Sequence, residues 1–200
     1  LNEKKEATLG LASKNTQEQQ QTERQKNTVE GLIENQDEPF DINKVSKEDI
    51  KIIESSGKNK GYVGSSESLA INTILREGED YFELTPQRKK IVETMDRNMR
   101  PLGKEQTVYR YITKNDPLYT AKVGKVIKNN GYLSTTESIG HEFDNRPGRV
   151  EIKASKDAKV YRPKQRDENE LILARGSSLR IVGREKDKDG YKIIAEYVNE

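Results

Sequence analysis

The chain has 200 residues, 31% apolar and 35% charged, with 36 basic against 34 acidic side chains and a formal net charge of +2. Charge so nearly balanced provides no broad field for a polyanion, so nucleic acid is not indicated as a partner. There is no cysteine, which excludes disulfides, thiolate metal sites and cysteine nucleophiles; the one histidine, His141, leaves only carboxylates for a metal, and none is expected.

Residues 1–40 read as a polar extension, flexible or helical, because the run Gln17, Glu18, Gln19, Gln20, Gln21 is flanked by few large apolar side chains that could dock it. Residues 41–200 read as one domain. No stretch reaches the ~20 apolar residues that span a bilayer, and the N-terminus lacks the basic-then-apolar profile of a secretory signal, so the chain as given reads as soluble. Leu1 in place of methionine suggests a processed product or a fragment.

Ser46, with Asp49 three residues on, resembles a capping box before a short helix carrying Ile50, Ile52 and Ile53. A second helix is predicted from Ser66 to Glu77, with Leu69, Ile71, Ile74 and Leu75 on its buried side and Gly78 as its stop. On it Asn72 and Arg76 stand four apart and point to the same place. Thr85 caps and Pro86 opens a third helix through Ile91, Val92, Met95 and Met99. The period then changes. Runs at Thr107 to Ile112, Gly131 to Thr135, Arg149 to Ala154, Glu170 to Ala174, Ser178 to Val182 and Tyr191 to Val198 read as strands. Helices followed by strands predict an α+β domain. No GxGxxG follows a strand and no GxxxxGK[ST] occurs, so any nucleotide site is built otherwise.

Alternation in Val108 to Ile112 puts Arg110 on the same side as two apolar residues, as an internal ion pair or as an anion clamp. Glu168 and Glu170 flank Asn169, and a strand there projects both carboxylates to one side roughly 6 to 7 Å apart, as a solvated edge or as a stabiliser of cationic chemistry. Gly131, Tyr132, Leu133, Ser134, Thr135, Thr136 form a strand ending in hydroxyl residues. Read singly, each of these has an ordinary structural explanation. A serine-histidine hydrolase resting on His141 is formally open, although a lone histidine is more often an ordinary polar residue.

In this order the pieces resemble the R-S-E class of mono-ADP-ribosyltransferase toxins: an aromatic-Arg strand (Tyr109, Arg110), a Ser-Thr-Thr strand (Ser134, Thr135, Thr136) and Glu-x-Glu (Glu168, Glu170). Ile71, Asn72, Leu75 and Arg76 are similar to that family's IN..LR helix, and Phe143, Asp144, Asn145, Arg146, Pro147 to its F..RP element. The resemblance covers about residues 45–200 and is nearest to clostridial actin-modifying and Rho-modifying enzymes and their phage-borne relatives. It implies an ADP-ribosyltransferase fold, a split two-sheet β core with flanking N-terminal helices and NAD in the cleft between the sheets.

By the same resemblance, Arg110 holds the NAD phosphates with Asn72, Arg76 and Arg146, Tyr109 and Thr135 belong to the same site, and Phe143 packs on the nicotinamide side. Ser134 orients Glu170, which stabilises the positive charge developing on the ribose, and Glu168 serves the acceptor; a glutamate there goes with arginine targets. Lys164, Gln165 and Arg166 fall in the target-recognition loop, whose short, basic sequence without an aromatic residue points away from actin. The tyrosine often found one turn before the helix asparagine is Ser68 here, which leaves Tyr62 to stack on adenine or ribose, if any residue does. The implied protein is a secreted or injected monomeric effector, acting in a target-cell cytosol on a protein with an acceptor arginine and requiring no metal. An NAD glycohydrolase and a non-catalytic binding or virion-structural module that keeps the fold are the alternatives.

Overall fold

The computed structural model describes residues 36–77, 83–139, 145–165, 169–187 and 190–199; the expectations placed on residues 1–35, Gly78, His141, Phe143, Asp144, Arg166 and Glu168 lie outside them. Among the described residues the helices are α1 (Lys47–Glu54), α2 (Ser66–Arg76), α3 (Pro86–Asn98) and the single turn α4 (Pro117–Thr120). The strands are β1 (Arg100–Pro101), β2 (Gln106–Ile112), β3 (Val126–Asn129), β4 (Leu133–Thr136), β5 (Gly148–Ala154), β6 (Lys159–Tyr161), β7 (Glu170–Leu173), β8 (Ser177–Asp187) and β9 (Gly190–Val198). Strands β1, β3 and β6 escape sequence reading because two to four residues carry too little alternation to register.

Side-chain caps start the helices where the sequence places them. Ser46 Oγ accepts the Asp49 N–H at 3.1 Å, and Thr85 Oγ1 accepts the Arg88 N–H at 3.3 Å ahead of Pro86. The capping box at α1 is only half formed. The Asp49 carboxylate accepts from Arg97 and Asn98 of α3 at 2.9 and 2.8 Å, so a tertiary pairing replaces the local one and ties the two helices together. Leu69 also departs from expectation, being 71% exposed, while Asn72 is buried between Ile71 and Leu75. The buried stripe of α2 therefore includes an amide, which is tolerated because its polar atoms are hydrogen-bonded.

The strands form one hydrogen-bonded sheet in the order β1-β6-β7-β4-β2-β5-β9-β8-β3, and β5 with β9 is its parallel pairing. Strand β2 runs in register with β5 over seven residues, from Gln106↔Ala154 to Ile112↔Gly148, but meets β4 at the single pair Tyr109↔Thr136. Hydrogen bonding is thus continuous, yet the sheet narrows at that join into a four-stranded and a five-stranded half. This is the form the split core takes. Val108, Ile112, Val150, Ile152, Leu171, Ile172 and Ile193 supply its buried faces, and Ile53, Ile71, Ile91 and Met95 bring the helices onto them. Gly61 lets the chain cross the end of α1, since a Cβ there would stand 2.3 Å from the Ile53 carbonyl oxygen; Tyr62 then enters the core.

Candidate active site

A cleft of about 770 Å³ opens where the two halves of the sheet narrow, with walls from β2, β4, the start of β7, α2 and the segment before α2. In the β4–β7 pairing Thr136 lies opposite Glu170 and Ser134 opposite Ile172, which puts Ser134 and Glu170 diagonally on one face. Ser134 Oγ donates to Glu170 Oε1 at 2.6 Å, a length typical of a charge-assisted bond, and this fixes the carboxylate. Thr135 has its hydroxyl directed to the Leu171 carbonyl at 2.6 Å, so it braces β4 against β7 from the buried side.

Arg110 enters from β2. Its Nη1 donates to the Ser134 carbonyl at 2.9 Å, bridging the narrow join, and its Nη2 lies 3.9 Å from Asp116 Oδ2. Its Nε is buried with no hydrogen-bond partner among the described residues. Burial lowers the Arg110 pKa from its ordinary value, Asp116 works against that, and the nearby Arg76 and Arg146 lower it further. Three guanidinium groups thus converge with one carboxylate among them, an arrangement that favours a bound anion.

Helix α2 positions the next residues. Asn72 Nδ2 donates to the Tyr62 hydroxyl at 2.7 Å and its Oδ1 accepts the Tyr132 N–H at 2.9 Å; Arg76 donates to Asn129 Oδ1 at 3.1 Å and to the Tyr132 carbonyl at 2.8 Å. The four-residue spacing does bring the amide and the guanidinium to one place, where both also hold the approach to β4. Arg146 Nη1 donates to the Tyr111 carbonyl at 3.0 Å and lines the cleft, as does Tyr109.

Tyr62 is only 2% exposed, packs edge-on against Tyr132 at 5.4 Å, and has its phenol pKa pushed up to about 12, chiefly by burial and against the Asn72 hydrogen bond. Its ring packs within the protein and is not an open stacking surface. Gly131 permits this close packing, because a Cβ there would lie 2.8 Å from Asn72 Oδ1 and 3.0 Å from Arg76 Nε. Gly131→Ala is expected to displace both side chains, costing roughly 1–3 kcal/mol and weakening anion binding in the cleft. Thermal melting and pyrophosphate titration measure the two effects; unchanged binding with a lowered Tm would limit Gly131 to packing.

Strand alternation begins at Glu170. Asn169, just before it, has φ 52°, in the left-handed region that asparagine tolerates better than most residues. Glu168 and Phe143 lie outside the described residues. Lys164 and Gln165 are exposed in the segment between β6 and β7. Sequence reading missed Lys60, Ser65, Ser66 and Leu69, which line the cleft from α2 and the segment before it; the Ser65 cap was the available signal. Among the described residues no three His, Cys, Asp or Glu side chains are placed to hold a metal, and no helix is long and apolar enough to cross a membrane.

The fold is that of ADP-ribosyltransferase toxins. The C3 exoenzyme of Clostridium limosum matches with TM-score 0.64 at 18% identity, over 86% of this chain and 95% of that one. C3larvin toxin, an ADP-ribosyltransferase from Paenibacillus larvae, matches with 0.60 at 19% identity over 78% and 90%. C3stau2 from S. aureus, solved with NAD, matches with 0.60 at 18% over 78% and 89%. No curated protein matches. The family model for the ADP-ribosyltransferase exoenzyme covers residues 14–199, and the chain belongs to that family, as a mono-ADP-ribosyltransferase toxin-like protein of the R-S-E class that uses NAD.

Proposed function

We propose that the protein transfers ADP-ribose from NAD to an arginine side chain of a target protein, releasing nicotinamide, with Glu170 as its catalytic carboxylate. The observation that carries this reading is the 2.6 Å bond from Ser134 to Glu170 in a cleft that Arg110, Arg76 and Arg146 also line. The cleft volume, about 770 Å³, is within the range of cofactor sites, and the partnerless Arg110 Nε with its converging cations suits a diphosphate. Arg110 grips that diphosphate with Arg76 and Arg146, and Asn72 adds its second amide hydrogen. Tyr109 and Thr135 complete this part of the site, and Phe143 covers the nicotinamide side.

NAD supplies a nicotinamide–ribose bond whose cleavage develops positive charge on the ribose. Glu170, held by Ser134, stabilises that charge electrostatically. The acceptor guanidinium stays protonated in water up to a pH of about 12, so its nitrogen attacks only when a base takes the proton. Glu168 is that base: the bond from ribose carbon to nicotinamide breaks, the bond to the guanidino nitrogen forms, and the proton passes to Glu168. Lys164, Gln165 and Arg166 contact the target. The setting that fits these roles is a secreted or injected effector working in a target-cell cytosol.

The test is incubation of the full chain with labelled NAD and a cell lysate, wild type against Glu168→Gln, scoring label on protein and its release by hydroxylamine. Loss of protein labelling in Glu168→Gln with NAD hydrolysis retained is the expected result, together with hydroxylamine-labile label in the wild type. NAD consumed with no protein labelled in any lysate would make the protein a glycohydrolase.

A further inference from the structure

Glu54, the last residue of α1, is a carboxylate only 7% exposed, at the helix end where a negative charge is locally unfavourable. It sits outside the cleft. Its two oxygens serve two donors more than a hundred residues away: Oε2 accepts the Tyr161 hydroxyl and Oε1 the Gln165 backbone N–H, each at 2.9 Å. Tyr161 ends β6 fully buried, with Phe40 edge-on to its ring at 5.2 Å; burial first, and then the Glu54 charge, push its phenol well above the ordinary range and keep it a donor.

The backbone this carboxylate grips, at Gln165, lies in the stretch of chain that joins β6 to Glu170. Both ends are fastened to the turn after β4. Arg162 pairs with Glu137 at 2.6 Å, the Glu137 N–H donates to the Asn169 carbonyl at 3.0 Å, and Asn169 Nδ2 donates to Ser138 Oγ at 2.9 Å. Between those ends, the hydrogen bond to Glu54 is the backbone fastening among the described residues. A carboxylate accepts from both donors at once; glutamine in its place could keep both contacts, since the Tyr161 hydroxyl also accepts, whereas leucine accepts neither. A buried charge is costly to keep, and a helix end needs none there, so its retention fits a task at the segment.

We infer that Glu54 is a positioning residue for the acceptor protein: it fixes the backbone at Gln165, between β6 and Glu170 in the chain, and so sets how the target docks, without touching NAD or the acceptor. This rests on the transferase reading above. The experiment compares full-length wild type, Glu54→Leu and Tyr161→Phe for nicotinamide release without acceptor and for label transfer over a range of lysate concentrations. Exchange of the Gln165 amide hydrogen is followed alongside.

In Glu54→Leu, hydrolysis should stay within about twofold of wild type, while transfer falls about tenfold or more through a raised apparent KM for protein, as expected for loss of a hydrogen bond to a charged group. Faster exchange at Gln165 should accompany the loss. Tyr161→Phe, which keeps the Gln165 bond and serves if the first variant does not fold, should show the same selective loss in smaller degree. Hydrolysis and transfer falling in parallel would make Glu54 an ordinary structural residue, and transfer unchanged would overturn the role outright. A wild type that hydrolyses NAD but labels no protein refutes the transferase reading and this inference with it; a wild type that labels no better than its variants refutes the role of Glu54 alone.

Discussion

Glu170→Gln is expected to slow nicotinamide release by about 10²–10³-fold, the scale on which removing a preorganised electrostatic partner of a transition state acts. Hydrolysis and protein labelling should fall together, because both need the ribose–nicotinamide bond broken. NAD affinity should change little: the amide keeps the shape of the side chain, and Ser134 Oγ can donate to the amide oxygen as it does to Glu170 Oε1 at 2.6 Å. Stopped assays of nicotinamide release, with NAD binding measured separately, distinguish this from a binding defect. If Glu170→Gln keeps a tenth or more of wild-type turnover, Glu170 is not the charge stabiliser and the assignment of the site fails. Glu168→Gln should separate the two activities that Glu170→Gln abolishes together.

Arg110→Met should reduce NAD affinity by about 10-fold or more, since a charged hydrogen bond is worth about 1.5–3 kcal/mol. The informative half of this prediction concerns stability. Arg110 has a buried Nε without a partner among the described residues and a carboxylate no closer than 3.9 Å, so the folded protein holds a poorly compensated charge there. Replacing such a charge with an apolar side chain of similar length is often neutral or stabilising. The bond from Nη1 to the Ser134 carbonyl is lost, but Ser134 lines the cleft, where water can replace the donor. Tm should therefore fall by no more than about 3 °C, or rise. Affinity lost with Tm maintained marks a residue kept for its ligand. A fall of ten degrees or more would instead make Arg110 a brace across the narrow join of the sheet, with its effect on NAD indirect.

The sequence by itself determined the α+β class, the three main helices with their caps and the ordered set Asn72, Arg76, Arg110, Ser134 and Glu170. It could do so because local chemistry sets each of them: a serine or threonine that accepts a backbone N–H, a helical or strand period, and a motif that binds residue types to a fixed order. The tertiary structure decided what depends on neighbours distant in the chain. It turned Asp49 from a capping partner into an anchor for α3, left Leu69 on the surface while burying Asn72, and used Tyr62 as packing against Tyr132. It ended strand alternation at Asn169, narrowed the sheet to one residue pair at the cleft, and tied Glu54 to a segment more than a hundred residues on. A side chain with several possible partners takes the one that the fold brings near, and only the fold says which that is.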